Sequence, residues 1–201
     1  AENLKLGSVT LIKFNADDAK ETLKGAEFKL LREDGKVIHP ILRTDDDGQI
    51  FVANLQPGKY KFVETKAPNA FQLNADPIAF ELKAVETQTV QVKAPNELVT
   101  GNVRLTKTDG TSGEVLAGAV FTLFNEKDEV IKENLTTDAE GNVLVEDLKP
   151  GDYYFVETKA PTDYQLDAEK LTFTIERSGS TEKQKAVTVS AENELIPGSV
   201  I

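Results

Sequence analysis

The chain has 201 residues and a formal net charge of −11, and it contains one His and no Cys, Met or Trp. The absence of Cys excludes disulfides, iron–sulfur clusters, thiolate zinc sites and a Cys nucleophile, and a single His excludes two copies of a His-dependent triad. The acidic balance argues against a nucleic-acid partner, and no apolar stretch approaches the roughly 20 residues of a membrane span.

Six sequence motifs occur twice, in the same order in each half of the chain. In chain order they are Gly-x-Val-x-Leu-x-Lys at 7–13 and 101–107, Leu-x-Gly-Ala-x-Phe-x-Leu at 23–30 and 116–123, Thr-Asp-x-x-Gly at 44–48 and 137–141, Leu-x-Pro-Gly-x-Tyr at 55–60 and 148–153, Phe-Val-Glu-Thr-Lys-Ala-Pro at 62–68 and 155–161, and Val-x-Val-x-Ala-x-Asn at 90–96 and 187–193. This self-similarity predicts two tandem domains of one fold, at 1–98 and 99–201. The ends, 1–5 and 197–201, repeat internal sequence and are interpreted as edges of neighbouring repeats.

Apolar residues alternate with polar ones in runs of four to eight residues that are separated by Gly and Pro-Gly turns. A period of two over short runs predicts β-strands, and runs at this spacing predict a sandwich. The predicted fold class is all-β, with two Ig-like or prealbumin-like β-sandwich domains of about seven strands each. Short helical turns are allowed in the connections around 69–76 and 162–170.

The alternation also points three polar side chains of each module toward its interior, one at the end of the first strand, one in the middle strand and one in the last. They are Lys13, Glu64 and Asn96 in the first module and Lys107, Glu157 and Asn193 in the second. An unpaired buried charge costs several kcal/mol, so each trio must be mutually satisfied or reactive. The residues alone leave two readings open, an ion pair with an amide hydrogen bond or a covalent crosslink.

The strings Val-x-Leu-x-Lys, Tyr-x-Phe-Val-Glu-Thr-Lys-Ala-Pro and Val-x-Val-x-Ala-x-Asn resemble the Cna B-type (collagen-adhesin B-repeat, prealbumin-like) domains of Gram-positive surface adhesins and pilins. The resemblance covers the chain twice. It implies spontaneous isopeptide bonds between Lys13 and Asn96 and between Lys107 and Asn193, each promoted by a Glu, which is Glu64 in the first module and Glu157 in the second. Pro95, directly before Asn96, is a local departure from the pattern.

The function that this resemblance implies is a structural stalk or spacer of a cell-wall-linked adhesin or pilus-like protein, outside a Gram-positive cell. Each crosslink consumes its own residues, so the chain is not expected to be a turnover enzyme, and no cofactor or metal is expected. The expected partners are neighbouring repeats of the same polypeptide, and the fragment itself is expected to be monomeric. The alternative is an adhesive module that binds a host extracellular-matrix protein or glycan through loops, with 33–43 and 126–136 as the first places to examine.

Overall fold

The computed structural model describes residues 5–84 and 88–198 of the chain. This part contains strands and connections and no helix, so it has no helix that could cross a membrane. It divides into two compact units, one running to Val99 with the addition of 178–182 and the other holding 100–177 and the chain from Lys183. The all-β tandem architecture is therefore confirmed. Of the repeat edges predicted from the sequence, residues 1–4 and 199–201 lie outside the described residues.

The first unit has eight strands, β1 (Gly7–Asn15), β2 (Asp18–Thr22), β3 (Glu27–Arg32), β4 (Val37–Arg43), β5 (Gln49–Leu55), β6 (Gly58–Lys66), β7 (Ile78–Leu82) and β8 (Thr89–Asn96). One sheet is built around β1, which pairs along one edge with β5 and β2 and along the other with β8. The second sheet has the order β4-β3-β6-β7. The pairing of β1 with β8 is parallel and the other pairings are antiparallel.

The second unit repeats this plan with seven strands, β9 (Gly101–Asp109), β10 (Val120–Asn125), β11 (Val130–Thr136), β12 (Asn142–Leu148), β13 (Gly151–Lys159), β14 (Leu171–Ile175) and β15 (Val187–Asn193). Its sheets have the orders β12-β9-β15 and β11-β10-β13-β14, and β9 pairs with β15 in parallel. The β2 hairpin of the first unit is reduced here to an isolated bridge between Thr108 and Val115. The strand counts of eight and seven agree with the predicted value of about seven.

The core of each unit lies between its two sheets, because alternate residues of every central strand point inward. In the first unit Phe28 and Phe62 meet edge to face with ring centroids 6.2 Å apart, and Phe121 and Phe155 do the same in the second at the same separation. These four rings are at most 1% exposed. The period of two read from the sequence therefore places the apolar residues correctly.

Two connecting segments differ from their prediction, and two others, where helical turns were allowed, contain none. The segments at 69–76 and 162–170 each include a turn, at 69–70 and 162–163, and then run beside the chain that follows β8 and β15, with bridges from Phe71 to Leu98 and from Tyr164 to Leu195. The segments at 33–43 and 126–136, which were interpreted as loops, are largely strands β4 and β11. Both are edge strands with no buried residue on either face, so their sequences need little alternation of apolar and polar residues.

Candidate functional site

The lysine of each trio lies near the end of the strand that begins its unit. Lys13 is opposite Ala94 in the parallel register of β1 and β8, and Lys107 is opposite Ala191 in β9 and β15. Both side chains point between the sheets and are 1% exposed, as the alternation predicts. The Lys13 amine donates a hydrogen bond of 3.1 Å to the carbonyl oxygen of Ala94.

The glutamate comes from the opposite sheet. Glu64 lies in β6 opposite Phe28 of β3, and Glu157 lies in β13 opposite Phe121 of β10. The distance from Lys13 Nζ to Glu64 Oε1 is 3.3 Å, with both side chains 1% exposed. In the second unit the distance from the lysine amine to Glu157 Oε1 is 3.9 Å. Each unit therefore holds a lysine–glutamate pair across the middle of its sandwich.

The asparagine returns to the sheet of the lysine, two residues further along the parallel register. Asn96 Nδ2 donates to Glu64 Oε2 at 2.9 Å, and Asn193 Nδ2 donates to Glu157 Oε2 at the same distance. Pro95 of β8 lies opposite Phe14 of β1 in the regular register, so this proline does not prevent the contact between Asn96 and Glu64. One carboxyl group therefore bridges the amine and the amide nitrogen in each unit, and the structure brings together all six residues singled out from the sequence.

The second hydrogen of each asparagine amide is taken by a backbone carbonyl that the sequence reasoning missed. Asn96 Nδ2 donates to the carbonyl oxygen of Gln72, and Asn193 Nδ2 donates to that of Gln165 at 2.8 Å. These carbonyls belong to two extended segments, 70–74 and 163–167, which we call the straps. The signal available in the sequence was the string Gln-Leu-x-Ala, which recurs at 72–75 and 165–168.

Each strap is fastened to the chain beyond the asparagine and to the glutamate. The Gln72 side chain donates to the carbonyl of Leu98 at 2.9 Å, and the Asn74 backbone N–H donates to Glu64 Oε2 at 2.8 Å. The second strap makes the same contacts, from the Gln165 side chain to Leu195 at 3.2 Å and from the backbone N–H of residue 167 to the glutamate at 2.9 Å. The strap thereby fixes both the carboxyl group and the amide.

The Thr-Asp-x-x-Gly turn supports the backbone of the lysine. Gly48 accepts a hydrogen bond from the Lys13 N–H at 2.8 Å, and it has a φ of 70°, a conformation that favours glycine. A Cβ atom at this position would lie 2.8 Å from the Lys13 carbonyl oxygen and 2.7 Å from the backbone nitrogen of Leu23. Gly141 has the same role beside Lys107, with a φ of 71°. The repeated glycine therefore allows the turn to pack directly against the lysine strand.

Burial sets the electrostatics of the site. It lowers the pKa of Lys13 and of Lys107 below the usual value, because a charged amine is poorly solvated between the sheets, and the facing glutamate only partly opposes this effect. Within the described residues, the buried amide oxygens Asn96 Oδ1 and Asn193 Oδ1 have no hydrogen-bond donor, and Glu64 Oε1 and Glu157 Oε1 have only the ion pair with the lysine amine. Such atoms are rare in settled polar networks. The arrangement supplies an amine of raised nucleophilicity, a carboxyl group and an amide held together away from water.

No set of three or more acidic or His side chains in residues 5–84 and 88–198 is arranged to hold a metal ion. The acidic residues at 45–47 form a turn that is stabilised by local hydrogen bonds, because Asp45 Oδ1 accepts from the backbone N–H groups of Asp47 and Gln49.

Comparison with known proteins gives the family. The model of the SpaA prealbumin-like fold domain matches twice, at residues 7–96 and 101–191. A comparison with curated protein sequences finds no match. Among solved structures, the Bacillus anthracis TIE protein is similar at 29% identity and a TM-score of 0.54, over 94% of this chain and 34% of that protein. The chain therefore spans about a third of the length of that protein.

Two pilins are also similar. A streptococcal ancillary pilin matches at 27% identity and a TM-score of 0.43, over 98% of this chain and 64% of its own. BcpA, the major pilin subunit of Bacillus cereus, matches at 17% identity and a TM-score of 0.43, over 96% of this chain and 100% of its own. The family match covers both units and confirms the resemblance to prealbumin-like domains. The chain belongs to the SpaA prealbumin-like fold family and carries two of its domains in tandem.

Proposed function

We propose that the chain is a load-bearing spacer of a Gram-positive surface protein, and that each unit closes itself with an isopeptide bond, from Lys13 to Asn96 and from Lys107 to Asn193. The observation that carries the proposal is the buried trio of amine, carboxyl and amide, present in both units and joining the first strand to the last. An ion pair with an amide hydrogen bond would also fill this space, but it would hold a charged amine and a charged carboxylate between the sheets, where burial lowers the lysine pKa and disfavours the charged form.

The geometry supports a direct condensation. Proton transfer from the lysine ammonium to the glutamate leaves a neutral amine and a neutral carboxyl, the pair that burial favours. The amine nitrogen then attacks the amide carbon of the asparagine, and the C–N bond to Nδ2 breaks. The carboxyl receives a proton from the amine side at Oε1 and delivers one at Oε2, which already contacts Nδ2 at 2.9 Å in both units. The products are a secondary amide and ammonia, and no other reactant is consumed.

The alignment of the groups supplies much of the rate. Side chains that are held in place react as though at very high concentration, an effect worth up to about 7–11 kcal/mol of the barrier. We expect the departing ammonia to leave through crevices beside the two sites. A crevice of about 420 Å³ is lined by the first strap and by Pro95 and Glu97, the neighbours of Asn96, and one of about 320 Å³ is lined by Asn193 itself.

The position of the bonds supports a mechanical role. A bond from Lys13 to Asn96 encloses 82 residues, and one from Lys107 to Asn193 encloses 85. Tension applied at the ends of a unit would pass through the bond and leave the enclosed residues folded. The likeness to Cna B-type domains, which occur in surface adhesins and pilins, supports a location outside the cell, on the cell surface or cell wall.

The intact mass of the purified, denatured chain tests the proposal. Each bond releases one ammonia, about 17 Da, so the expected deficit from the sequence mass is about 34 Da. Lys13→Met and Lys107→Met should each restore about 17 Da. The matched controls are Lys66→Met and Lys159→Met, which remove exposed lysines two residues after each glutamate and should leave the deficit unchanged. A wild-type mass equal to that of the sequence would overturn the proposal.

A further inference from the structure

The lysine sites of the two units differ in the charges around them. A small cavity of about 10 Å³, close to the volume that one water needs, lies beside Lys107. Its acidic lining is Glu157 from β13, Asp167 and Glu169 from the segment after β13, and Glu192 from β15, while Phe121 of β10 and Leu171 of β14 line it with apolar groups. Four carboxyl-bearing residues therefore line a cavity that Lys107 also lines.

The first unit has fewer acidic residues at the corresponding places. The repeats align Asn74 with Asp167 and Pro95 with Glu192, so two of the four positions are uncharged there. The lysine–glutamate distance is also shorter in the first unit, 3.3 Å against 3.9 Å in the second. The amine of the second unit therefore shares its environment with more negative charge and is less closely paired with the glutamate.

These differences act on the charge of the amine. In both units burial is the main influence on the lysine pKa and lowers it. For Lys13 the opposing influence is Glu64. For Lys107 it is Glu157 together with Asp167 and Glu192, which raise the pKa because negative charge stabilises the ammonium form.

We propose that Asp167 and Glu192 delay the crosslink of the second unit by holding Lys107 in its ammonium form, so that the two bonds of one chain form in sequence, the first unit reacting before the second. The inference rests on the crosslinking reaction of the proposed function. Only the neutral amine attacks the amide, so stabilising the ammonium lowers the reactive fraction at any pH below the lysine pKa. The rate–pH profile of the second unit therefore lies at higher pH than that of the first.

The size of the effect follows from the exposure of the two carboxylates. Asp167 and Glu192 are both exposed, so water and salt screen their effect on the buried amine. A change of one pKa unit alters the neutral fraction tenfold, and a screened carboxylate supplies a part of that. We expect about a threefold change in rate for each carboxylate removed, and a smaller one at high salt.

The experiment measures the two crosslinking rates in the same full-length chain. The chain is made in a short pulse of cell-free translation, transferred to buffers of different pH, quenched with denaturant at intervals and digested, and the crosslinked peptides of each unit are quantified by mass. Asp167→Asn should speed crosslinking of the second unit about threefold on the acid side of its profile and move that profile to lower pH. Asn74→Asp should slow the first unit by a similar factor.

The exchange of Asn and Asp is a matched pair because the local turn accepts either side chain. Asn74 Oδ1 accepts the backbone N–H of Asp76 at 3.0 Å, and Asp167 Oδ1 accepts that of Glu169 at 3.0 Å. Glu192→Gln is a second, independent variant and should act in the same direction as Asp167→Asn. In every sample the unit that carries no substitution serves as the internal reference for folding and quenching.

The possible results separate the inference from the proposed function. Equal rate–pH profiles in the two units, or unchanged profiles in Asp167→Asn and Glu192→Gln, with both bonds forming, would overturn the inference and leave the proposed function intact. A wild-type chain that loses no ammonia at any pH would overturn the proposed function itself. The electrostatic delay would be established if the rate–pH profile of the second unit moves to lower pH in Asp167→Asn, that of the first unit moves to higher pH in Asn74→Asp, and salt reduces both shifts.

Discussion

Replacing Lys13 with Met removes the nucleophile while keeping a side chain of similar length in the same buried place. The expected crosslink encloses 82 residues, and closing a loop of this size restricts the unfolded chain by about 4.5 kcal/mol in the chain-entropy model used for disulfides. The first unit of Lys13→Met should therefore be less stable than wild type by about this amount. For a domain of this size the loss corresponds to a fall in melting temperature of about 20 °C or more.

A second variant separates the crosslink from the buried charge. Glu64→Gln also prevents the crosslink but leaves the Lys13 amine buried without a carboxyl partner, at 1% exposure. Both variants leave one member of the pair buried, but in Lys13→Met the Glu64 carboxyl keeps its hydrogen bonds from Asn96 Nδ2 and the Asn74 N–H, whereas in Glu64→Gln the ammonium has no counter-charge. An uncompensated buried charge costs about 3–5 kcal/mol, so Glu64→Gln should lose about that much more. The expected order of stability, from highest to lowest, is wild type, Lys13→Met and Glu64→Gln. The difference in unfolding free energy between Lys13→Met and Glu64→Gln should narrow as the pH rises, because burial lowers the pKa of Lys13 and the neutral amine needs no counter-charge.

Differential scanning calorimetry of the full chain measures both effects, since the unsubstituted second unit provides a reference transition in every sample. Lys66→Met, which changes an exposed lysine, is the control and should melt as wild type does. The reasoning is refuted if Lys13→Met melts within a few degrees of wild type although the wild-type mass shows the loss of ammonia. It is also refuted if Glu64→Gln proves more stable than Lys13→Met.

Three further predictions concern force, the glycine turn and the strap. In single-molecule stretching, Lys13→Met should release about 280 Å more chain from the first unit than wild type, since about 3.4 Å is gained for each enclosed residue; equal contour lengths would exclude the crosslink from the load path. Gly48→Ala should destabilise the first unit more than Gly35→Ala does. Both glycines have a positive φ, but only at Gly48 would a Cβ atom lie within 3 Å of neighbouring backbone. Urea unfolding measures the two losses of unfolding free energy, and equal losses would show that the turn relaxes around the new Cβ atom. Gln72→Ala should slow crosslinking of the first unit in the pulse assay and leave the second unit unchanged, and Gln165→Ala should do the reverse; unchanged rates would show that the strap stays in place without its side-chain hydrogen bond.

The trio could be located from the sequence because its position depends on parity alone. In a strand the side chains alternate between faces, so Lys13 must share the inward face of Val9 and Leu11 wherever the strand lies. The same argument applies to Glu64 and Asn96. What parity could not provide was the register of β1 against β8, which decides whether amine and amide meet, because pairing between the first and last strands depends on the whole fold.

The straps could not be placed from the sequence for a different reason. Their contacts with Asn96 and Glu64 are made by the backbone carbonyl of Gln72 and the backbone N–H of Asn74, groups that every residue except Pro can offer. The identity of the side chains at these positions therefore says little about the contacts that the strap makes with the asparagine and the glutamate. The turn glycines were visible as a repeated motif, but their packing against the lysine strand depends on close backbone approach, which the sequence does not specify.

The parallel pairing of the first and last strands determines how the proposed bond would carry force. In each unit the chain enters at one end of the pair and leaves at the other, because β1 and β8 run side by side in the same direction from Ser8 opposite Thr89 to Asn15 opposite Asn96. Tension along a unit therefore shears this pair, loading its hydrogen bonds together. An antiparallel arrangement would place both ends on one side and open the ladder bond by bond. Because Lys13 and Asn96 both lie near the exit end, a bond between them leaves the strand up to Lys13 in the load path and removes residues 14–95 from it.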